Sequence, residues 1–362
     1  MRAAAIKLRG FRNLDEQSAH FADRLTVVHG PNGSGKSNLL EAVFFGLTGV
    51  SSRTRRLREL IGFGQELTRV EVSITDRSAG NHRRLIAAAI SRSEGRIHTL
   101  DGRSVRLEDS FERPAVSAFM PDRLELVKGT PSLRRAHIDS FAIALFPART
   151  DVRQRYGAAL AQRNALLGRI KAGYASATTL DSWDAELARC ALELRELRCL
   201  AVDSLVESFG EATARLGLVG RATISYRPRV GEGDFDALYG ELATRRDADL
   251  RRGHTTYGPH LDELKLELDG RLLRSYGSQG QQRIGLLALL LAERMALRAA
   301  RGRLPLMLLD DVMSELDQAR RTLLVDELKS GGQAILTTTE PSQVPGVEYG
   351  LAVDAGRVVA SG

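Results

Sequence analysis

Eight consecutive residues near the amino terminus have the composition of a phosphate-binding loop. They are Gly30, Pro31, Asn32, Gly33, Ser34, Gly35, Lys36 and Ser37, and they fit the pattern G-x-x-x-x-G-K-[ST] in full. Glycines let backbone N–H groups converge on a β-phosphate, a lysine reaches the β- and γ-phosphates, and a serine hydroxyl is a ligand for Mg²⁺. The segment therefore predicts a site for ATP and Mg²⁺, in which Lys36 is catalytic and Ser37 is a metal ligand.

Two adjacent carboxylates follow an apolar run in the last quarter of the chain. The run is Leu304 to Leu309, and the acids are Asp310 and Asp311, which is the Walker B pattern. We expect Asp310 to hold Mg²⁺, directly or through water, and Asp311 to act as the general base on the attacking water. Two acids at an exposed strand end are the alternative, and the complete phosphate loop upstream weakens it.

A third motif begins an apolar helix. Ser278, Gln279, Gly280 and Gln281 resemble the signature of ABC-type ATPases, in which the serine and the helix amino terminus contact the γ-phosphate bound to the other subunit. We therefore expect Ser278, Gly280 and Gln281 to bind nucleotide across a head-to-head dimer. Residues 314–317, Ser-Glu-Leu-Asp, resemble the D-loop that crosses that interface.

Strands and helices of one α/β head must position these motifs. An apolar run at Leu25–His29 predicts a strand before the loop, and Ser37–Leu47 has the apolar spacing of a helix. Residues 69–107 alternate as antiparallel strands, with Asp101-Gly102 as a hairpin turn. After residue 252, alternating strands and helices predict a parallel sheet.

The middle of the chain differs, because residues 151–210 carry apolar side chains at spacings of three and four. This predicts a helical hairpin, a short antiparallel coiled arm, with Asp181 as the N-cap of its second helix. An ordinary helical subdomain is the alternative. We predict an ABC-type P-loop ATPase head, formed by residues 1–140 and 252–362, with an inserted helical second lobe at residues 141–251.

Composition excludes several classes. The 362 residues are 43% hydrophobic, and no run approaches the roughly 18 apolar residues of a membrane helix. The amino terminus becomes polar too soon for a signal peptide, so we expect a cytoplasmic protein with no membrane partner. Cys190 and Cys199 fall on opposite faces of one helix, which excludes a disulfide between them.

The charge is compatible with a nucleic-acid partner. The net charge is +7, and only six of the 52 basic residues are lysine. Arginine neutralises phosphates and releases counterions, although a high-GC genome would produce the same bias through its codons. Composition alone leaves these two interpretations about even.

The combination of motifs resembles the RecF family. Four further segments carry the resemblance: Phe11-Arg12-Asn13, residues 124–129 (Leu-Glu-Leu-Val-Lys-Gly), residues 163–167 (Arg-Asn-Ala-Leu-Leu) and Gly258-Pro259-His260. The resemblance spans nearly the whole chain, and its motifs are specific in combination.

The resemblance implies a function in DNA repair, replication, recombination and the SOS response. RecF-like proteins bind DNA as ATP-bound dimers and act with RecR and RecO at gapped DNA, where they help RecA replace single-strand-binding protein. Their ATPase is slow and stimulated by DNA. The implied fold is similar to the heads of SMC proteins without the long coiled coil. Candidate DNA contacts are Arg9, Arg12, Arg53, Arg55, Arg56, Arg58, Arg134, Arg135, Arg251 and Arg252.

Some positions depart from related patterns. Transporter-type subunits carry a switch histidine where this chain has Thr337-Thr338-Thr339. The segment Phe119–Asp122 contains no Q-loop glutamine, and Gln65 is the available substitute. Residues 260–262 read His-Leu-Asp, where the family usually has a basic residue after the histidine.

The leading hypothesis is an ATP-driven DNA clamp, in which ATP joins two heads across DNA and hydrolysis releases them. Three other functions are alternatives to it. A transporter ATPase subunit is the main alternative, but it would have a much shorter insert between the P-loop and the signature. A P-loop kinase would not need Ser278-Gln279-Gly280 or the D-loop. A nucleotide switch that depends on binding ATP more than on splitting it is the third.

Overall fold

The computed structural model describes residues 2–76, 82–93, 95–105, 115–120, 124–231, 233–347 and 349–361. Its strands are β1 (Arg2–Arg9), β2 (Gln17–His20), β3 (Leu25–His29), β4 (Leu67–Asp76), β5 (His82–Ser91), β6 (Gly95–Leu100), β7 (Arg103–Ser104), β8 (Val116–Phe119), β9 (Ala222–Arg227), β10 (Glu263–Leu268), β11 (Arg271–Leu272), β12 (Leu306–Leu309), β13 (Ala334–Thr338), β14 (Gly350–Asp354) and β15 (Arg357–Ser361). Its α-helices are α1 (Lys36–Thr48), α2 (Glu125–Lys128), α3 (Pro131–Leu145), α4 (Val152–Lys171), α5 (Leu180–Asp203), α6 (Val206–Arg215), α7 (Phe235–Thr244), α8 (Arg246–Arg252), α9 (Leu273–Tyr276), α10 (Gln279–Arg301) and α11 (Gln318–Ser330). Pro121 and Asp122 of the expected Q-loop segment lie outside the described residues.

The chain divides into two compact units. The first comprises residues 1–124, 214–218 and 297–362, and the second comprises residues 125–213 and 219–296. These limits do not coincide with the predicted boundaries at residues 140 and 252, and the division into head and arm stays a prediction.

A six-stranded sheet in the first unit positions the phosphate loop and the Walker B acids. Its order is β15-β14-β3-β13-β12-β8, and all its strands are parallel except β15. β3 leads into the phosphate loop, β12 leads into Asp310, and β13 lies between them. Because the carboxyl ends of parallel strands meet at one edge, the topology places both motifs together.

An antiparallel sheet completes the first unit, in the order β2-β1-β4-β5-β6-β7. Its inward side chains, including Ile6, Val70 and Ile86, share one core with those of α1. The predicted Asp101-Gly102 hairpin is confirmed: both residues have positive φ, as a type I′ turn requires.

The second unit contains the predicted pair of long helices, α4 and α5. Arg155 contacts Glu193, and Arg163 contacts Asp184, so the sequence runs in opposite directions along the two helices. The expected N-cap is wrong, because α5 already begins at Leu180 and places Asp181 inside its first turn. Asp181 instead accepts a hydrogen bond from Arg246 at 2.6 Å.

Buried charge ties these helices to the rest of the second unit. The fully buried Arg163 donates to Asp184 at 2.6 Å, to Asp249 at 2.7 Å and to the Thr255 hydroxyl at 2.8 Å. Asn164 accepts from the Thr255 backbone N–H at 2.8 Å. Part of the sequence motif at residues 163–167 therefore works as an internal brace.

Two predictions about the whole chain have clear outcomes. Among the helices of the described residues, none is long and apolar enough to span a membrane. Cys190 and Cys199 are both free thiols, and burial raises the pKa of Cys190 to about 11. A thiol with so high a pKa stays protonated and poorly nucleophilic at neutral pH.

Candidate nucleotide-binding site

The phosphate loop connects β3 to α1 through a tight backbone turn. Gly30 has φ 152°, and a Cβ at this position would lie 2.1 Å from the Val353 carbonyl oxygen, so only glycine fits. Gly35 is the N-cap of α1, and no side chain among the described residues caps the helix. The first-turn N–H groups of α1 therefore remain available to an anion, as a phosphate site requires.

The ammonium of Lys36 lies over this loop. Its Nζ donates to the carbonyl oxygens of Gly30 at 2.8 Å and Pro31 at 2.9 Å. Burial lowers the pKa of Lys36, whereas the charges of Asp311 and Asp310 raise it. The loop carbonyls and the two acids thus hold a cation where the phosphates of a nucleotide are expected.

The two predicted metal ligands are in direct contact. The Ser37 hydroxyl donates to Asp310 Oδ1 at 2.8 Å, and the side chain of Asp310 is buried. A hydroxyl and a carboxylate are hard oxygen donors, which suit Mg²⁺. The described residues contain no cluster of three or more His, Cys, Asp or Glu that could hold a metal. A magnesium ion here would therefore complete its shell with phosphate and water oxygens, which is how Mg²⁺ usually binds beside nucleotides.

Asp311 has the features of a strained reactive group. Its φ is 48°, a left-handed conformation that non-glycine residues rarely adopt. Its Oδ2 accepts from the Ser314 hydroxyl at 3.2 Å, whereas its buried Oδ1 has no hydrogen-bond partner in the described part of the chain. A buried carboxylate oxygen without a donor is costly, and such an atom is free to accept a proton from water.

Sequence reasoning missed Thr337, the residue that joins the two acids. Its hydroxyl donates to Asp310 Oδ1 at 2.7 Å and accepts the backbone N–H of Asp311 at 2.9 Å. The side chain is fully buried at the end of β13. The sequence drew attention to this strand end only for its lack of histidine.

The Phe11-Arg12-Asn13 motif supports the phosphate loop from the side. Arg12 forms a bidentate pair with the buried Glu41 of α1, at 2.6 and 3.0 Å. Asn13 accepts from Asn38 of α1 at 2.7 Å and donates to the Ser34 carbonyl at 3.4 Å. This motif therefore anchors α1 and its loop.

The signature residues form the start of α10 in the second unit. Ser278 and Gln281 satisfy each other: the Ser278 N–H donates to Gln281 Oε1 at 2.8 Å, and the Gln281 N–H donates to Ser278 Oγ at 3.3 Å. This reciprocal pair is a capping box. It fixes the first turn of α10, which includes Gly280, at the helix amino terminus.

The D-loop segment also begins a helix. Asp317 is the N-cap of α11 and accepts from the Arg320 N–H at 2.9 Å. Ser314 donates to the carbonyl oxygen of Asp311 at 3.1 Å as well as to its carboxylate. The segment is thus joined to the proposed general base by a short hydrogen-bonded turn.

The ten candidate DNA contacts fall into two groups. The exposed group is Arg9, Arg53, Arg55, Arg56, Arg58, Arg251 and Arg252. Within this group, Arg53 donates to Asn38 at 2.9 Å and lies 3.6 Å from Glu41. The other three arginines are less exposed: Arg12 pairs with Glu41, the buried Arg134 pairs with Glu263 at 2.7 Å, and Arg135 donates to the Asp262 carbonyl at 2.8 Å.

A fully exposed aromatic residue follows the arginine run, and sequence reasoning missed it. Phe63 is 104% exposed, at the second position of a turn closed by the Gln65 N–H on the Gly62 carbonyl at 3.0 Å. Gly64 has φ 75°, so the turn is type II. Gly62 donates to the Gly10 carbonyl at 2.8 Å, which anchors the turn. The sequence pattern that could have indicated this exposed turn is Phe63 between Gly62 and Gly64.

Comparison with known proteins finds relatives over nearly the whole chain. The chain matches the family model described as RecF/RecN/SMC N terminal domain over residues 3–356. It is 37% identical over 358 residues to the DNA replication and repair protein RecF of Myxococcus xanthus (strain DK1622), covering 96% of this chain and 93% of the relative. It is 39% identical over 374 residues to the protein of the same name from Anaeromyxobacter sp. (strain Fw109-5), covering 99% of each.

Solved structures share the fold. A structure of the recombination mediator protein RecF-ATP in the RecFOR pathway superposes with a TM-score of 0.86 at 27% identity, covering 99% of this chain and 97% of that chain. The Smc head bound to the C-winged helix domain of ScpA, at 18% identity and a TM-score of 0.62, shares the fold alone, over 100% of this chain and 98% of that chain. The predicted α/β head of the ABC type is confirmed, and the chain belongs to the RecF family.

Proposed function

We propose that this chain is an ATP-dependent DNA-binding recombination mediator. ATP and Mg²⁺ bind at the phosphate loop and join two heads into a dimer, and the dimer binds gapped or junction DNA. Slow ATP hydrolysis, stimulated by DNA, releases the heads. The observation that carries this proposal is the linked set of Ser37, Asp310, Thr337 and Asp311 beside an uncapped α1.

The residues divide the chemistry between them. The α1 amino terminus and Lys36 bind the phosphates, and Ser37 with Asp310 would hold the metal that neutralises their charge. Asp311 accepts a proton from the attacking water through its unpaired Oδ1. Ser278, Gly280 and Gln281 contact the γ-phosphate bound by a second copy.

The exposed run of Arg53, Arg55, Arg56 and Arg58 is our first candidate for DNA contact, with Phe63 beside it in sequence. Guanidinium groups attract phosphates, and an exposed aromatic ring can stack on an unpaired base. Arg9, Arg251 and Arg252 remain candidates. Arg12, Arg134 and Arg135 are left out of this surface, because each is half-buried or buried and already has a protein partner. Arg53 also contacts Asn38 and Glu41, but its side chain stays exposed.

Names of relatives support the cellular role. Those matched over nearly full length are named DNA replication and repair protein RecF, and one solved neighbour is assigned to the RecFOR pathway. On this basis we propose RecR and RecO as partners and RecA loading at gapped DNA as the outcome, in the cytoplasm. The alternative of a transporter subunit is not favoured.

A binding titration tests the DNA surface. A fluorescein-labelled gapped duplex is titrated with wild-type protein in ATP–Mg²⁺ or ADP–Mg²⁺, and with a variant in which Arg53, Arg55, Arg56 and Arg58 are alanine. A matched control removes four other exposed arginines: Arg169, Arg221, Arg271 and Arg298.

We expect tighter binding in ATP than in ADP. The plot of log binding constant against log salt concentration should become shallower by about 0.9 for each phosphate that the first variant no longer neutralises. The control variant should keep nearly the wild-type slope. Equal affinity in both nucleotides would refute the ATP-dependent clamp. Equally weakened binding by both variants would refute this choice of surface.

A further inference from the structure

The second unit contains an open, basic recess that the proposed function does not use. Its volume is about 780 Å³, and its basic side chains are Arg135, Arg227, Arg229 and Lys265. Arg135 belongs to α3, Arg227 ends β9, and Lys265 lies on β10. The recess is therefore formed by three elements that the fold brings together within one unit.

Glu263 is the one acid among the described residues that line the recess, and it does not balance this charge. Glu263 accepts from Arg134 at 2.7 and 3.1 Å and from Arg274 at 3.3 Å, so two other arginines already engage it. Across the described residues, Arg227, Arg229 and Lys265 form no ion pair. Burial and the charge of Arg198 lower the pKa of Arg135, against the opposing effects of Asp262, Glu263 and Asp139. The recess thus has an excess of positive charge that an anionic ligand would relieve.

Backbone contacts anchor the segments that carry these basic side chains. Arg135 donates to the Asp262 carbonyl at 2.8 Å, and the Asp262 carboxylate accepts the Arg229 backbone N–H at 2.7 Å. In the antiparallel β9–β10 pair, Glu263 lies opposite Arg227 and Lys265 lies opposite Ser225. These contacts fix the Arg135 guanidinium and the backbone from which the other basic side chains extend.

Asp262 also has a structural role. It is fully buried, and its carboxylate accepts from Arg198 at 3.0 Å and from the Tyr226 hydroxyl. The acid after His260-Leu261 therefore neutralises a buried arginine and anchors the loop at one side of the recess.

The shape and lining of the recess identify the ligand class. Pro131, Pro228 and Leu261 add apolar surface, and Leu261 is 40% exposed. The volume falls within the ~300–1,000 Å³ range of pockets that enclose a small ligand or a short chain segment. Protein–DNA interfaces, in contrast, spread over roughly 1,000–2,500 Å² of protein surface. A compact recess with an apolar part and several basic side chains suits carboxylates next to an aliphatic side chain.

We propose that this recess binds an acidic peptide segment of a partner protein, in which two or more carboxylates lie next to an apolar residue. The carboxylates pair with Arg227, Arg229 and Lys265, and the apolar side chain packs on Pro131, Pro228 and Leu261. This site is independent of the nucleotide chemistry.

Fluorescence anisotropy with defined probes tests the site. The probes are fluorescein-labelled Asp-Glu-Asp-Leu-Leu, its neutral analogue Asn-Gln-Asn-Leu-Leu, an eight-nucleotide single strand and a duplex. The test variant is Arg227→Ala with Arg229→Ala, and the matched control is Arg169→Ala with Arg271→Ala. All four side chains are exposed, so we expect unchanged thermal melting and unchanged ATP affinity in both variants.

We expect the acidic peptide to bind wild type and the control, and to bind the test variant at least ten-fold more weakly. The neutral peptide should bind at least ten-fold more weakly than the acidic one. Any of three results would overturn the proposal. The acidic peptide does not bind wild type at 1 mM, the two peptides bind equally well, or the test and control variants lose the same amount of affinity. DNA binding that depends on Arg227 and Arg229, without peptide binding, would assign the recess to nucleic acid instead.

Discussion

Thr337 controls the geometry of the two Walker B acids through one hydroxyl. It donates to Asp310 and accepts the N–H of Asp311, which has a strained positive φ. Its removal leaves the Asp311 N–H without its acceptor and the Asp310 carboxylate oxygen with one donor fewer. The cost of such a change is about 1–3 kcal/mol.

We predict that Thr337→Val lowers ATP turnover at least ten-fold, because both acids lose their alignment. Thr337→Ser keeps the hydroxyl and should retain most of the turnover. Steady-state phosphate release by the two variants, after circular dichroism has confirmed folding, measures the difference. Equal activity in both variants would show that the hydroxyl does not position the acids.

A second prediction distinguishes the role of Lys36 in ATP binding from the role of Asp311 in hydrolysis. Lys36→Ala removes the cation at the loop, so it should abolish both ATP binding and ATP-dependent dimerisation. Asp311→Asn keeps the shape of the side chain but removes the base, so binding should persist while hydrolysis stops. Equilibrium binding of a fluorescent ATP analogue, measured alongside turnover, distinguishes these effects. Equally impaired ATP binding in both variants would contradict the assigned roles.

The sequence identified the phosphate loop because its residues are contiguous and each has one chemical purpose. The role of Thr337 could not be predicted from the sequence. Its contact with the two acids depends on the parallel register of β12 and β13, in which Leu309 lies beside Leu336. Register follows from packing of the whole sheet, and a local pattern does not contain it.

At the scale of elements, buried charge joins the helices of the second unit. Arg163 of α4 contacts Asp184 of α5 and Asp249 of α8. We predict that Arg163→Leu lowers the free energy of unfolding by about 3–5 kcal/mol, because it leaves buried carboxylates without their partner. Chemical denaturation measures the change. The exposed Arg169→Leu on the same helix is the control, and equal stability of the two variants would contradict the brace.

The Gly258-Pro259-His260 motif contributes a pH-dependent contact. The Thr255 carbonyl can only accept, so His260 Nε2 carries the proton, and Nδ1 accepts from the Tyr156 hydroxyl at 2.6 Å. Burial lowers the pKa of His260, against the opposing effects of the Thr255 carbonyl and Asp262. Because the folded state resists protonation, stability should fall as the pH drops below the ordinary histidine value of about 6.5.

His260→Asn keeps an acceptor for Tyr156 but does not titrate. We expect its unfolding free energy to change less between pH 7.5 and 5.5 than that of wild type. Denaturation at several pH values measures this slope, and His20→Asn, at an exposed histidine, is the control. If the unfolding free energy of both variants changes with pH as much as that of wild type, the pH dependence comes from other groups.

Element prediction succeeded where a periodic pattern decides the structure. The apolar stripes of α4 and α5 and the Asp101-Gly102 hairpin are local signals, and both are confirmed. The start of α5 was placed too late at Asp181, because a helix-favouring acid in the first turn resembles an N-cap. The β9–β10 pair was not predicted, since its strands are separated by α7 and α8 and their pairing is a long-range contact.

At the scale of the whole molecule, the proposed function requires a second copy of the chain. The capping box fixes Ser278 at the amino terminus of α10, and a helix amino terminus stabilises a phosphate. In the proposed function, Ser278 contacts the nucleotide bound by a second copy, so this signature acts only in a dimer.

Sedimentation velocity tests that claim most directly. Wild-type protein is compared with Ser278→Arg in ATP and Mg²⁺, with and without gapped duplex, and Ser140→Arg on the exposed face of α3 is the control. We predict an ATP-dependent dimer that DNA favours, retained in the control and absent in Ser278→Arg. Wild-type protein that stays monomeric with ATP and DNA would contradict the proposed dimer, in which the signature of one copy contacts the nucleotide bound by the other.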